Sequence, residues 1–211
     1  MEKITGVILA GGQGQRMGKV DKGLTVLQGK PFIEWVLARF SPQVDEVLIN
    51  ANQNLEQYAR FGYRIIPDEI GGFAGPLAGL HRGLVEAHHG LVATVPCDSP
   101  FLPADLVERL HKGLTAAKAQ LAVAKTFTQP HPVFCLCRRD VLDHLSKFLN
   151  SGGRKIDAWY ATLKVVEVPF DAQADAFSNI NTREELSEFE ADAHPSSAVK
   201  DPELERDKLR A

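Results

Sequence analysis

Cysteine is scarce in this sequence: Cys97, Cys135 and Cys137 are the three in a chain of 211 residues. So small and odd a number excludes a disulfide framework. It is the usage expected of a reducing, cytoplasmic setting, with the thiols acting as small core hydrophobes. Cys135-Leu136-Cys137 lacks a second Cys/His pair, and no His-Glu-x-x-His pattern occurs, so a structural zinc site is not expected. Long apolar runs are missing as well. Val7-Ile8-Leu9-Ala10 falls far short of the ~20 residues a membrane span needs. The opening Met-Glu-Lys-Ile-Thr-Gly has no apolar stretch of the kind a secretory signal carries. Nor is there an excess of one charge: 24 Lys and Arg stand against 27 Asp and Glu, a formal net charge of −3. That balance argues against a nucleic-acid coat or a membrane-surface protein. What is there is ordinary, 44% hydrophobic and 24% charged, which is neither disordered, collagen-like nor coiled-coil. The length suits one domain able to bury a core without staples.

The apolar pattern predicts an order of elements. Residues 4–10 form a short β-branched run ending in Gly11-Gly12, a buried parallel strand entering a loop. Residues 13–22 are polar and glycine-bearing, hence loop. Phe32, Ile33, Val36, Leu37 and Phe40 recur at helical spacing, with Pro31 at a plausible first helical position. Strands are expected at 46–50, 64–67, 91–95, 121–126, 133–137 and 164–168. Helices are expected at 55–61, from Pro76 to about 88, along Leu102, Leu106, Val107, Leu110 and Leu114, along Val141 to Leu149, and at 182–189. Alternation of strand and helix implies βαβ units around a mostly parallel sheet, a single three-layer α/β/α domain over residues 1–189. Residues 190–211 dissolve into Ala, Asp, Pro, Ser, Lys and Glu, expected to be a disordered or loosely helical tail without chemistry.

The strongest chemical signal is LAGGQGQRMGKVDKGL at 9–24. A strand delivers a glycine-rich loop at its carboxyl end, where open α/β sheets bind ligands. Glycines let backbone N–H groups approach an anion, and Arg16, Lys19 and Lys22 add positive charge against the lone Asp21. A polyphosphate suits that loop; the alternative is a surface turn with solvated cations. It is not a P-loop, because Val20 follows Gly18-Lys19 and Gln13 stands where the first glycine belongs. It is not a dinucleotide fingerprint, because Gly14 and Gly18 lie one residue too far apart. No G-x-S-x-G elbow occurs, so an α/β-hydrolase is not supported. Val95-Pro96-Cys97-Asp98-Ser99-Pro100 places an acid after a buried strand. Asp98 could hold Mg²⁺ against phosphate oxygens, or serve as a turn or helix cap. Asn50 and Asp68 end two other strands on the same edge. A carboxylate and an amide there could read a base, guanine offering N1–H and N2–H₂ as paired donors, or they could cap turns. Asn179 and Asn181 alternate on an extended segment and point one way, toward ligand or into a turn. His131, between Pro130 and Pro132, either caps the site or packs in a proline-fixed turn.

These residues resemble the nucleotidyltransferases that transfer a nucleoside monophosphate from a triphosphate, and among them the molybdenum cofactor guanylyltransferases. The carriers are the 9–24 loop with its Ala10-Gly11-Gly12 and Asp21-Lys22-Gly23-Leu24, VLINAN at 47–52, Gly75-Pro76-Leu77-Ala78-Gly79, PCDSPFLP at 96–103, His131-Pro132, and FSNINT at 177–182. Six separated motifs stand in order over about residues 4–189. The resemblance implies a Rossmann-like, mostly parallel sheet of nucleotidyltransferase type. It implies transfer of GMP from GTP to the phosphate of (molybdenum-)molybdopterin, with pyrophosphate as the second product and Mg²⁺ as cofactor. It implies GTP contacts by Leu9, Ala10, Gly11, Gly12, Lys22, Asn50, Asp68 and Asp98, and catalytic roles for Asp98, Lys22 and Arg16. Asp98 would bind the metal, while Gly79, Asn179 and Asn181 would be pterin-side or active-site residues, the two asparagines toward the pterin. Partners would be GTP, the molybdopterin cofactor, and molybdenum-insertion and molybdoenzyme-maturation proteins. Two alternatives remain at this point: a relative using CTP or a sugar-phosphate acceptor, or a non-catalytic nucleotide-binding protein. Gly11-Gly12 with DKGL speaks against the first, and the retention of Arg16, Lys22 and Asp98 against the second.

Overall fold

A computed structural model describes residues 2–12, 21–70 and 75–177. Along the chain it contains β1 (Ile4–Leu9), β2 (Val26–Leu27), β3 (Lys30–Pro31), α1 (Phe32–Phe40), β4 (Glu46–Asn50), α2 (Leu55–Ala59), β5 (Arg64–Ile65) and α3 (Pro76–Glu86). There follow β6 (Leu91–Pro96), α4 (Leu106–Ala116), β7 (Leu121–Thr126), β8 (Gln129–Arg138), α5 (Leu142–Asn150), α6 (Ile156–Tyr160) and β9 (Val165–Pro169). The expected helix at 182–189 and the tail at 190–211 lie outside the described residues.

Seven strands form one sheet in the order β5-β4-β1-β6-β8-β7-β9. β1 is parallel to both β4 and β6, β4 to β5, and β7 to β9, while β8 runs antiparallel to its two neighbours. The expected mostly parallel sheet is therefore present. Side chains of β1 alternate between its faces. Ile4 and Ile8 join a core with α1 and α4 (Ile33, Val36, Phe40, Leu106, Leu110). Val7 joins a second core with α3, α5 and α6 (Leu77, Leu80, Leu84, Leu145, Trp159). Helices cover both faces, which makes the three layers. All three cysteines are buried within these cores, as expected of small hydrophobes.

Register fixes what the carboxyl edge presents. Leu9 pairs with Asn50 on one side and with Pro96 on the other, so three parallel strands end level. The residues that follow them, Gly11, Asn52 and Asp98, emerge together.

Several elements depart from the sequence expectation. Pro31 precedes α1 in an extended conformation as its N-cap instead of occupying its first turn. The short hairpin of β2 and β3 has no counterpart in the apolar pattern, because four paired residues around Gln28-Gly29 carry no periodicity. Residues 129–132, outside the strand expected at 133–137, belong to β8. Pro130 and Pro132 cannot donate to a ladder, and the β7–β8 register jumps there, from Val123 opposite Cys135 to Ala124 opposite His131. Side chains satisfy the freed carbonyls: Tyr160 OH donates to Pro132 O at 2.6 Å, and Thr94 Oγ1 to Val133 O at 2.6 Å.

Candidate active site

Two polar clusters occupy the carboxyl edge. The first is built on the exits of β4 and β5. Asn50 is buried and uses its amide N–H₂ twice, to Ile66 O at 2.9 Å and to Asp68 Oδ1 at 2.8 Å. Asn52 donates to the other carboxylate oxygen, Asp68 Oδ2, at 2.8 Å and to Gly11 O at 3.3 Å, while its Oδ1 accepts from the Asp68 backbone N–H at 2.8 Å. Both oxygens of Asp68 are thus held by amides. Each still has acceptor capacity for a ligand donor.

Close packing explains two glycines here. A Cβ on Gly11 would lie 2.7 Å from Asn52 Nδ2 and 3.1 Å from Asn50 Oδ1, so only a bare backbone passes over the amides. A Cβ on Gly79 would lie 2.3 Å from Asn50 Oδ1 and 2.7 Å from Leu9 Cδ2. The structure thus sets Gly79 behind Asn50, where α3 backs the cluster.

The second cluster lies across β1. Lys22 Nζ pairs with Asp98 Oδ2 at 2.9 Å. Asp98 is nearly buried, so the pair is shielded from bulk water. Lys22 opens a short 3₁₀ turn, Lys22–Leu24, and the residue before it, Asp21, is anchored from α2 and its approach. Tyr58 OH donates to Asp21 Oδ1 at 2.5 Å and Asn54 Nδ2 to Asp21 Oδ2 at 2.9 Å. Burial, together with the negative charges around it, pushes the Tyr58 phenol far above its ordinary range, so it stays a donor. Burial and the carboxylates of Asp98 and Asp21 likewise push the Cys97 thiol well up, as for a thiol that packs as a core residue.

Leu9, Ala10 and Gly12 lie between the two clusters along the exit of β1, where Ala10 N–H donates to Asn50 O at 2.8 Å. His131 neither sits in a turn nor stands alone. Its ring stacks on Phe177 with centroids 4.8 Å apart, and Nε2 lies 2.7 Å from Thr126 Oγ1. Burial lowers its pKa, so the ring is neutral at neutral pH. Arg16, Asn179 and Asn181 lie outside the described residues. The sequence alone assigns no site role to Asn52, Asp21 or Tyr58, although the first two fall within its motifs. The spacing of Asn50 and Asn52 on an extended segment was the available signal for the first. No local pattern links Asp21 to Tyr58.

Among the described residues no group of three or more His, Cys, Asp or Glu side chains gathers to form a protein-only metal cage. A single carboxylate that shares a divalent cation with substrate phosphates is the donor set Mg²⁺ uses, and Asp98 fits it. No helix among the described residues is long and apolar enough to cross a membrane.

Comparison with known proteins places the chain in a family. The sequence model of the MobA-like NTP transferase domain matches residues 6–165. A molybdenum cofactor guanylyltransferase of Cupriavidus metallidurans is 49% identical over 196 residues, covering 90% of this chain and 96% of that protein. One of Ralstonia nicotianae is 50% identical over 195 residues, covering 88% and 95%. Among solved structures, molybdopterin-guanine dinucleotide biosynthesis protein A of Archaeoglobus fulgidus superposes with a TM-score of 0.76 at 29% identity, covering 90% of this chain and 98% of that one. A 4-diphosphocytidyl-2C-methyl-D-erythritol synthase of Anaerococcus prevotii, 15% identical with a TM-score of 0.69, shares the fold. On the span of the domain match and the identity of these relatives, the chain belongs to the MobA-like NTP transferase family.

Proposed function

We propose that this enzyme transfers GMP from GTP to the phosphate of molybdopterin, forming the guanine dinucleotide cofactor and pyrophosphate. The carrying observation is the pair of clusters at one sheet edge: an amide-held carboxylate at Asp68 and a lysine–carboxylate pair at Lys22 and Asp98. Their chemistry matches the two ends of GTP. Asp68 accepts from guanine N1–H and N2–H₂, whereas cytosine offers one exocyclic amino group and no such pair. Leu9, Ala10, Gly11 and Gly12 run between the clusters, where ribose and phosphates would lie. Relatives bearing the guanylyltransferase name at 49% and 50% identity support the same choice of base and acceptor.

Transfer is an in-line displacement at the α-phosphorus. An oxygen of the molybdopterin phosphate forms the new P–O bond, and the bridging bond to the β-phosphate breaks with its electron pair on pyrophosphate. The attacking phosphate is already ionised, so no general base is required. Catalysis then rests on position and charge. Lys22, Arg16 and the Gly11 and Gly12 N–H groups stabilise the departing pyrophosphate. Asp98 would hold Mg²⁺, which when bound neutralises charge on the phosphate oxygens. Asn179 and Asn181 would serve the pterin, Gly79 backs Asn50 behind the proposed base cluster, and residues 1–189 would be the working domain.

A panel of GTP, ATP and CTP, incubated with molybdopterin and Mg²⁺ and scored by pyrophosphate release and dinucleotide product, tests the reading. GTP should dominate; a preference for CTP overturns it. Asp98→Ala should cut transfer by at least about 100-fold, the scale of a lost electrostatic group in an active site. Its thermal midpoint should change little. Near-normal transfer by that variant removes Asp98 from the mechanism.

A further inference from the structure

The geometry points to Asn52 as a positioning residue for base recognition, one that sets the choice of guanine by fixing the plane of the Asp68 carboxylate. The inference rests on the proposed guanine contact of Asp68 and extends it to a residue that need not touch the base.

Asn52 bridges two atoms of the same neighbour. Its Oδ1 accepts from the Asp68 backbone N–H and its Nδ2 donates to Asp68 Oδ2, both at 2.8 Å. One amide thereby ties the Asp68 main chain to its own carboxylate and removes the freedom of the torsions between them. The amide orientation is forced: reversed, it would set oxygen against carboxylate oxygen and N–H against N–H. The remaining N–H of Nδ2 reaches Gly11 O at 3.3 Å, tying the exit of β1 to the same unit. Asn50 takes the opposite oxygen at 2.8 Å from its own fixed place against Ile66 O. The carboxylate is held from both sides, so its plane is set before a ligand arrives.

Bidentate acceptance needs that plane. A carboxylate takes N1–H and N2–H₂ together only when it lies coplanar with the purine. A carboxylate free to rotate still accepts one donor, so it binds GTP and a nucleotide lacking the 2-amino group almost equally. Asn52 is solvent-exposed, so packing does not account for three hydrogen bonds on one side chain. Its neighbour Asn50 is buried and would be needed for folding in any case.

The test compares equilibrium binding of GTP and ITP, with Mg²⁺ present and no acceptor. ITP is GTP without the 2-amino group. Wild type should prefer GTP by about 10- to 100-fold, the value of one hydrogen bond to a charged acceptor. Asn52→Ala should bring the ratio to within about threefold of unity. Asn52→Asp keeps the acceptor for the Asp68 N–H, loses the donor, and should lose the ratio as well. Thermal midpoints confirm that both variants fold. A full GTP-to-ITP ratio in either variant overturns the inference and leaves Asn52 a loop tie. A wild type that does not distinguish GTP from ITP instead overturns the guanine contact of Asp68 itself. The two failures are therefore distinguishable.

Discussion

A buried phenol anchors the residue just before Lys22. Tyr58, fully buried, donates to Asp21 Oδ1 at 2.5 Å, and Asp21 immediately precedes Lys22. Tyr58→Phe keeps the ring packing and deletes the donor. Asp21 keeps Asn54 and solvent, so the cost to folding should be about 1–2 kcal/mol, measured by urea unfolding. The larger effect should be on nucleotide: GTP affinity should fall several-fold, because the turn carrying Lys22 loses an anchor. Unchanged affinity at reduced stability would make Tyr58 a core residue only. The residue scale also shows what a sequence conveys. Asp98, Asn50, Asp68 and Lys22 could be named because each sits just past an apolar strand or inside a glycine-rich loop, where edge position follows from pattern. Tyr58 reads as a plain helix residue, and its link to Asp21 spans 37 positions. Only the folded chain joins them.

At the scale of elements, α3 controls the site by how closely it approaches. In an exposed helix Gly→Ala gains about 1 kcal/mol from propensity. At Gly79 the sign should reverse, since the new Cβ would fall 2.3 Å from Asn50 Oδ1. Gly79→Ala is expected to lower the thermal midpoint and weaken GTP binding at least tenfold. Gly12→Ala, whose Cβ would meet nothing within 4 Å among the described residues, should leave the midpoint nearly unchanged. The same helix carries a pH signature. His81 is buried against α5, with Nε2 2.9 Å from Ser146 Oγ, and burial lowers its pKa. A histidine held neutral in the fold binds its proton more readily when unfolded. Its contribution is present above the unfolded pKa and is lost as pH falls from there through the folded value. Urea midpoints should therefore drop between about pH 7 and pH 5, and His81→Gln should flatten that slope; an unaltered slope excludes His81. Most elements were legible because apolar runs and helical spacing mark β1, β4, β6, β7, α1 and α4 directly. β8 starts four residues before the strand its apolar run predicts, because two prolines look like a turn, although a register jump accommodates them.

For the molecule as a whole, the average charge conceals its distribution. The segment from 11 to 30 carries Arg16, Lys19, Lys22 and Lys30 against Asp21, an excess of three positive charges. Residues 190–211 hold six acids and four bases, and so supply two of the three net negative charges. A cationic segment that follows β1 in sequence, joined to a nearly neutral body, is expected to steer a triphosphate to one place without giving the protein a basic surface. The same division locates the limits of the working unit. A chain ending at residue 189 should keep GTP-dependent transfer and its thermal midpoint, because no predicted contact to nucleotide or pterin falls beyond it. A chain ending at Phe177 removes Asn179, Asn181 and the helix expected at 182–189 while keeping every residue of both edge clusters. It should still bind GTP with an affinity close to that of the full chain yet lose dinucleotide formation. Calorimetry with GTP and product analysis with molybdopterin, run on both chains, separate the nucleotide half of the site from the acceptor half. Loss of transfer on removing only 190–211 would extend the working unit into the acidic tail. Full transfer by the chain ending at Phe177 would move the acceptor subsite off Asn179 and Asn181 and onto the described edge of the sheet.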